Sequence, residues 1–325
     1  MTLSRRHFLK VATAATSIAL VPSLGIAQNY PARPVRIMVG FPPGGNADLV
    51  ARLIAHWLSE RLGQQFVVEN RPGANTNLAT EAVVRAPADG HTLLLIGPPQ
   101  VINTSLYSKL SYDFLRDIVP VASILRTPFV MEVIPTVPVN SVPELIAYAK
   151  ANPGKLNLGS AGIGSGPHLA GELFKMLTGV DIVHVAYRGT GPALTALLGG
   201  HVHIYFDGIP TSLPHIKEGK LRPLAVTSEQ RSPALPEIPP LAEFLPGYEA
   251  SLWFGIGAPH NTPGEIVTTL NREINAALAD SKIKARLLDM GATALPASPA
   301  DFGKLLVGET DKWAKTIKFA GATLD

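Results

Sequence analysis

The residues best suited to hold a guest lie between Asn157 and Glu172, in the run Asn-Leu-Gly-Ser-Ala-Gly-Ile-Gly-Ser-Gly-Pro-His-Leu-Ala-Gly-Glu. Gly159, Gly162, Gly164 and Gly166 let the backbone come close to a ligand, and Ser160 and Ser165 add hydroxyls. A helical pattern (Leu169, Leu173, Met176, Leu177) leaves the run, so its first turn offers N–H groups with no partner inside the helix. Those donors and the positive end of the helix dipole favour an anion. No Lys or Arg sits within the run, so backbone and hydroxyl donors would have to do the holding. A tight strand-to-helix connection is the competing reason for the glycines. A second copy weighs against that reading: Val35 to Val39 reads as a strand and Gly40-Phe41-Pro42-Pro43-Gly44-Gly45-Asn46 as a turn. A helix follows, with Leu49, Val50, Leu53, Ile54, Trp57 and Leu58 at three-and-four spacing. Two such units predict two helix N-termini facing one guest.

Other chemistries fit less well. Gly162-Ile163-Gly164-Ser165-Gly166 resembles the start of a dinucleotide fingerprint, but position 167 is Pro, and Asp181 precedes its strand instead of ending it. No Gly-x-Ser-x-Gly elbow surrounds Ser160 or Ser165. His168 and Glu172 are four apart on a helix, which invites a metal, yet no second His completes a zincin pattern, so His168 is expected to cap or brace its turn. His201 and His203 share a strand face without a third ligand. Asp207 follows the apolar run Ile204-Tyr205-Phe206, so it emerges at a strand's carboxyl end, either to meet a ligand or to start an Asp-Gly turn. Arg188, also just past a strand, could pair with Asp207 or meet a ligand carboxylate. Phe41 could form an apolar wall, and Asp48 is expected in its helix's first turn.

The elements that must position these residues alternate. After the first strand and helix come a strand over Gln65 to Glu69, a polar loop over Asn70 to Asn77 and a short helix over Leu78 to Arg85. A buried strand, Thr92 to Ile96, ends at Gly97-Pro98-Pro99-Gln100, and its unbroken apolar run suits a parallel sheet. Val119 to Leu125 and Phe129 to Ile134 read as two strands carrying the chain into a second domain, and Leu252 to Ile256 as a strand returning to the first. Ser141-Val142-Pro143-Glu144 is a capping box opening a helix to Lys150. Helices over Pro263 to Leu278, Ile283 to Met290 and Pro299 to Ala320 close the chain, after a Pro-rich surface excursion from Ser232 to Pro246. The alternation predicts α/β domains, each a mostly parallel sheet flanked by helices, with ligands outside the carboxyl ends of strands. The expected division is residues 28–128 with 251–325 as one domain and residues 129–250 as the other.

Length and composition agree. The chain has 325 residues, 46% hydrophobic and only 16% charged, enough for two domains with large cores. Of its 28 basic residues, Arg5, Arg6 and Lys10 lie in the first 27 positions, which hold no acid, and the remaining 25 balance 25 acidic ones. The formal +3 therefore belongs to the N-terminal segment and gives no reason to expect nucleic acid. That segment, Ser4-Arg5-Arg6-His7-Phe8-Leu9-Lys10 with an apolar stretch from Val11 to Leu20 and Ala27 at a cleavage position, reads as a twin-arginine signal peptide over residues 1–27. Its apolar stretch is shorter than the roughly 20 residues a spanning helix needs. Cysteine is absent, which removes disulfides, thiol catalysis and a lipid-modified Cys. An exported, periplasmic, monomeric protein is expected.

Taken together, several stretches resemble the Bug-type solute receptors of tripartite tricarboxylate transporters. They are Phe41-Pro42-Pro43-Gly44-Gly45 with Asp48, Glu69-Asn70-Arg71-Pro72-Gly73-Ala74, Ala88-Asp89-Gly90, Pro153-Gly154-Lys155-Leu156-Asn157, Ser165-Gly166-Pro167-His168-Leu169-Ala170-Gly171-Glu172, Tyr187-Arg188-Gly189 and Leu221-Arg222-Pro223-Leu224-Ala225-Val226-Thr227. The resemblance implies a two-domain Venus flytrap in which both glycine turns grip a ligand carboxylate. It places Phe41, Gly44, Gly45, Ser160, Gly162, Ser165 and His168 at or beside that carboxylate, Asp207 near the distal part of the ligand, and implies a membrane permease as partner. Three places depart from the family pattern: Asn75 within Ala74-Asn75-Thr76-Asn77, Pro98 within Gly97-Pro98-Pro99-Gln100, and Gly208 after Asp207. The loops holding Asn75 and Pro98 are expected to shape the distal pocket. With Gly164 and Arg188, these make up the expected ligand site, with no cofactor and no metal. The alternatives are an exported hydrolase or isomerase using His168 and Asp207 as acid and base, and a sensory ligand-binding subunit.

Overall fold

The computed structural model describes residues 30–324, so the twin-arginine segment lies outside the described residues. The chain opens with β1 (Val35–Val39), α1 (Asn46–Leu62), β2 (Phe66–Asn70), α2 (Asn77–Val84), β3 (Thr92–Ile96), α3 (Pro98–Leu106) and a single-turn α4 (Phe114–Asp117). Then follow β4 (Ile118–Val133), α5 (Val142–Ala151), β5 (Asn157–Ser160), α6 (Gly166–Thr178), β6 (Val183–Ala186), α7 (Thr190–Leu198), β7 (Ile204–Gly208), α8 (Ile209–Lys217) and β8 (Arg222–Val226). The chain closes with β9 (Ser251–Pro259), α9 (Gly264–Ala279), α10 (Ser281–Asp289), β10 (Thr293–Ala294) and α11 (Pro299–Ala320).

The sheet runs β2-β1-β3-β9-β4-β7-β5-β6, with β8 and β10 also paired to β4. β1 is parallel to β2 and β3, and β5 is parallel to β6 and β7, so each end of the sheet is a parallel βαβ unit. Between them, β9 and β4 are antiparallel crossing strands. The sequence suggests two strands at 119–134; the structure has one 16-residue strand. Its residues Ile118 to Pro128 pair with β9, and Phe129 to Val133 pair with β7 and β8. Arg126, Thr127 and Pro128 read as a break by residue type, but β9 pairs with them at Trp253, Leu252 and Ser251, and tertiary pairing overrides the local signal.

The two-lobed α/β architecture expected from the sequence is present, closed from behind by α11. That helix buries Phe302, Leu306, Trp313 and Ile317 in a core shared with Leu158, Phe174 and Phe206 of the second lobe. Each such side chain contributes roughly 1.5–3 kcal/mol on burial. Glu309, itself buried, accepts from the indoles of Trp253 (3.2 Å) and Trp313 (2.8 Å), so no polar group is stranded there. Three helices escape the sequence reading: the single-turn α4, and α3 and α8, each of which opens on proline. Pro98 and Pro210 sit in the first turn, where a missing N–H costs nothing.

Candidate functional site

The first glycine turn leaves β1 at Gly40 and enters α1 at Asn46. Its N-cap is Gly45, and no side chain caps it. Gly44 adopts φ +85°, and a methyl built on it meets nothing within 4 Å, so the turn borders open space. One expected donor is already engaged: Gly44 N–H donates to Asp48 Oδ2 (2.9 Å), which also accepts from Arg52 Nε (2.9 Å). Arg52 holds the Asp48 carboxyl below its usual range, so it is ionised and serves the turn, as its first-turn position suggests. Among the described residues, the amides of Gly45, Asn46, Ala47 and Asp48 have no protein acceptor, the first helical bond being Leu49 N–H to Gly45 O (3.0 Å). These are the donors that remain for a guest.

The second turn, between β5 and α6, is largely satisfied by its own side chains. Gly162 N–H donates to Ser160 Oγ (3.2 Å), Gly164 N–H to His168 Nδ1 (3.1 Å), Ser165 N–H to Gly162 O (3.1 Å) and His168 N–H to Ser165 Oγ (3.4 Å). Pro167 brings no N–H, so within α6's first turn only the Gly166 amide is free among the described residues. Across the two turns and their helices' first turns, the amides without an acceptor among the described residues are therefore those of Gly45, Asn46, Ala47, Asp48, Ala161, Ile163 and Gly166, while those of Gly44, Gly162 and Gly164 are taken by side chains. Ser160, fully buried, turns its hydroxyl inward to His184 Nε2 (2.6 Å).

His184 is the residue sequence reasoning missed at this turn; it lies on β6, and only the β5–β6 pairing brings it to Ser160 and His168. The two imidazoles stack 4.2 Å apart, and Glu172 completes a cluster whose ligand atoms lie within 4.8 Å of one another. A metal does not fit. The Gly164 N–H can only donate, so His168 Nδ1 must accept, which puts the ring proton on Nε2 and removes the lone pair a metal needs. Glu172 Oε1 is held by Lys175 Nζ at 2.8 Å. Burial, with His184 and Lys175 adding to it, holds His168 down to about 3, and burial with Lys175 holds His184 down to about 4. Both rings are neutral at ordinary pH and act as braces.

The turns meet through a third segment. Asn70 Nδ2 donates to Phe41 O (3.0 Å), and a methyl on Gly40 would collide with Thr76 at 2.6 Å, so the loop after β2 lies against the first turn. A methyl on Gly164 would reach 2.6 Å from Leu106 and 3.8 Å from Asn75 Nδ2, so that loop and α3 also face the second turn. Ala74, Asn75 and Thr76 have φ of 45°, 48° and 76°. Three successive non-glycine residues in the left-handed region, at about 1–3 kcal/mol each, persist only if their surroundings hold them. The holding group is Asn103 of α3, also missed from sequence. Asn75 Nδ2 donates to its Oδ1 (2.7 Å), and its Nδ2 donates to Asn75 O (2.6 Å) and Asn77 Oδ1 (2.7 Å). Phe41 stacks edge-on to Phe254 (6.3 Å), and Gly166 abuts Phe129 where β4 changes partners, so each glycine turn has an aromatic ring beside it.

The remaining expected residues separate. Pro98 is buried at the start of α3. Asp207, 1% exposed, stays in β7 and accepts from Thr211 Oγ1 (2.8 Å) and Ser212 Oγ (3.1 Å), so it neither forms a turn nor pairs with Arg188. Ser212 Oγ also lies 2.9 Å from Glu132 Oε1. One hydroxyl proton cannot serve both acids, so one acid is protonated. Burial and the charge of Asp207 push Glu132 well up, and burial raises Asp207, so Glu132 is the one that carries it. Arg188 is exposed and makes no side-chain hydrogen bond or ion pair among the described residues. Its loop is tied to the second turn by Tyr187 N–H to Ser160 O (3.0 Å) and Gly189 N–H to Ala161 O (3.2 Å). Its guanidinium is thus free among the described residues, on a loop joined to the second turn.

Two α/β lobes joined by crossing strands define the architecture of a periplasmic-type solute-binding protein. The chain belongs to the tripartite tricarboxylate transporter family of receptors, whose pattern it matches over residues 50–322. It is 39% identical to Protein BugT of Bordetella pertussis over 301 residues, 92% of either chain. Among solved structures it is similar to Rpa4515 of R. palustris with adipate (42% identity, TM-score 0.78, covering 91% of this chain and all of that one). It is also similar to MatC of Rhodopseudomonas palustris with bound malate (34% identity, TM-score 0.74, 89% and 100% covered). Membership makes the chain a solute-binding receptor and not an enzyme, which sets aside the hydrolase or isomerase alternative. No helix among the described residues is long and apolar enough to cross a membrane.

Proposed function

We propose that this chain is a periplasmic receptor that binds a small organic carboxylate between its lobes and delivers it to a membrane permease. The observation that carries the reading is the row of unpartnered amides from Gly45 to Asp48, at a turn bordering open space. Arg188 and the Gly166 amide would approach from the other lobe. Relatives solved with adipate and malate support a di- or tricarboxylate; an aromatic acid, for which Phe41 would offer a stacking face, and an acidic amino acid are the other carboxylates within this reading. Residues 28–128 with 251–325 form one lobe in this reading and residues 129–250 the other, hinged where β4 exchanges β9 for β7 at Pro128 and Phe129. The ligand closes the two by contacting both.

Magnitudes limit what the amides do. Micromolar binding is about −8 kcal/mol, and a helix N-terminus supplies up to about 2 kcal/mol, so hydrogen bonds and apolar burial against Phe41 provide most of it. A thermal-shift panel of mono-, di- and tricarboxylates, aromatic acids, acidic amino acids and neutral sugars tests the proposal. A true ligand at a hundred times its Kd adds about 2.7 kcal/mol, which raises Tm by roughly 5–10 °C. Stabilisation by neutral sugars or cations alone overturns it.

A further inference from the structure

The left-handed turn Ala74–Thr76 and its clasp lead beyond the carboxylate reading, on which the binding part of this inference rests. We propose that Asn103 is a positioning residue of the ligand crevice, acting through Asn75 to set the gap between the two glycine turns. Asn103 is fully buried and its amide is fully used: both N–H groups donate, to Asn75 O and Asn77 Oδ1, and its oxygen accepts from Asn75 Nδ2. Main chain and side chain of Asn75 are therefore held by one group, which fixes a backbone that Ala74 and Thr76 would otherwise leave. Tyr112 Oη, donating to Asn77 Oδ1 at 2.6 Å, locks the far side of the clasp.

The clasp sits where position matters. On one side Thr76 fills the space above Gly40, at the start of the first turn. On the other, Asn75 and Leu106, the latter three residues after Asn103 on the same helix, press on Gly164 of the second turn. A shift of the strained turn thus moves both walls. A buried asparagine with a purely structural role would hold its own lobe and leave the opposite lobe indifferent.

The test follows amide hydrogen exchange of residues 71–80 and 160–168 in the ligand-free protein, together with calorimetric affinity for adipate and malate. Asn103→Ala is compared with Asn271→Ala, which removes a similar side-chain clasp on the Val121 and Ala297 carbonyls, away from the crevice. Asn103→Ala is expected to speed exchange at least tenfold in both segments and to weaken whichever dicarboxylate binds by at least tenfold. Asn271→Ala is expected to lower Tm and change neither. Unchanged exchange at 160–168 in Asn103→Ala overturns the inference. Should Asn103→Ala not fold, Asn75→Gly, which suits the left-handed backbone but loses one arm of the clasp, is expected to speed exchange at 160–168 at least threefold, and no change there overturns the inference. If neither dicarboxylate binds the wild type, the choice of adipate and malate as ligands fails, while exchange still decides the role of Asn103.

Discussion

The two glycine turns arise from the same sequence device and end in opposite states. The β1–α1 turn is exposed, and the first turn of α1 carries no side-chain cap and keeps the amides of Gly45, Asn46, Ala47 and Asp48 free, while the first turn of α6, braced by Ser160, Ser165 and His168, keeps only that of Gly166 free among the described residues. Glycine at a helix N-terminus therefore does not by itself make an anion site; what decides is whether nearby side chains reach the amides first. In the proposed reading the first turn is the better candidate to hold charge, and the second is a braced wall for the ligand to close against.

The sharpest way to break this contrast is to place alanine at Gly164 and at Gly44. Gly164, at φ +77°, would collide with buried Leu106, so the left-handed backbone and the overpacking together cost about 2–5 kcal/mol. Gly44, at φ +85° beside open space, loses only about 1–2 kcal/mol. Denaturant unfolding measures both, and equal losses would erase the distinction.

Next in size is His168. His168→Ala leaves the Gly164 amide buried without an acceptor and is expected to cost about 1–3 kcal/mol, whereas His168→Asn places an oxygen near the Nδ1 position and should recover most of it. The pH dependence has a definite sign. His168 and His184 have folded pKa values below the unfolded 6.5, so the stability they contribute is present above 6.5 and is lost as pH falls towards about 4 and then about 3. A Tm-against-pH series should show a shallower acid loss in His168→Asn, and an identical slope would mean that the ring is not held neutral.

The smallest effect belongs to Asp48. Its carboxylate lies beside the open amides, and Asp48→Asn keeps an acceptor for Gly44 while leaving Arg52 unopposed. Affinity for a dicarboxylate should rise about two- to fivefold at low salt and return to the wild-type value at high salt. A loss of affinity would show that the first turn does not hold the anion.

Much of this was legible in the chain. The period of Leu49 to Leu58 and the pattern from Pro299 to Ala320 gave helices at the right places, and Ser141 does cap its helix, accepting from Glu144 N–H at 3.3 Å. Both glycine turns and the brace role of His168 could be read because they depend on residues within a few positions of one another. What the residues alone left open joins distant positions: His184 to Ser160, Asn103 to Asn75, Ser212 shared between Glu132 and Asp207, and one strand in place of two through Pro128. Sequence determines local periods, caps and breaks because the backbone bonds that express them span three or four residues. Which amides stay free for a guest is settled only when strands pair and helices pack, since that is when side chains far apart in the chain come within about 3 Å of them.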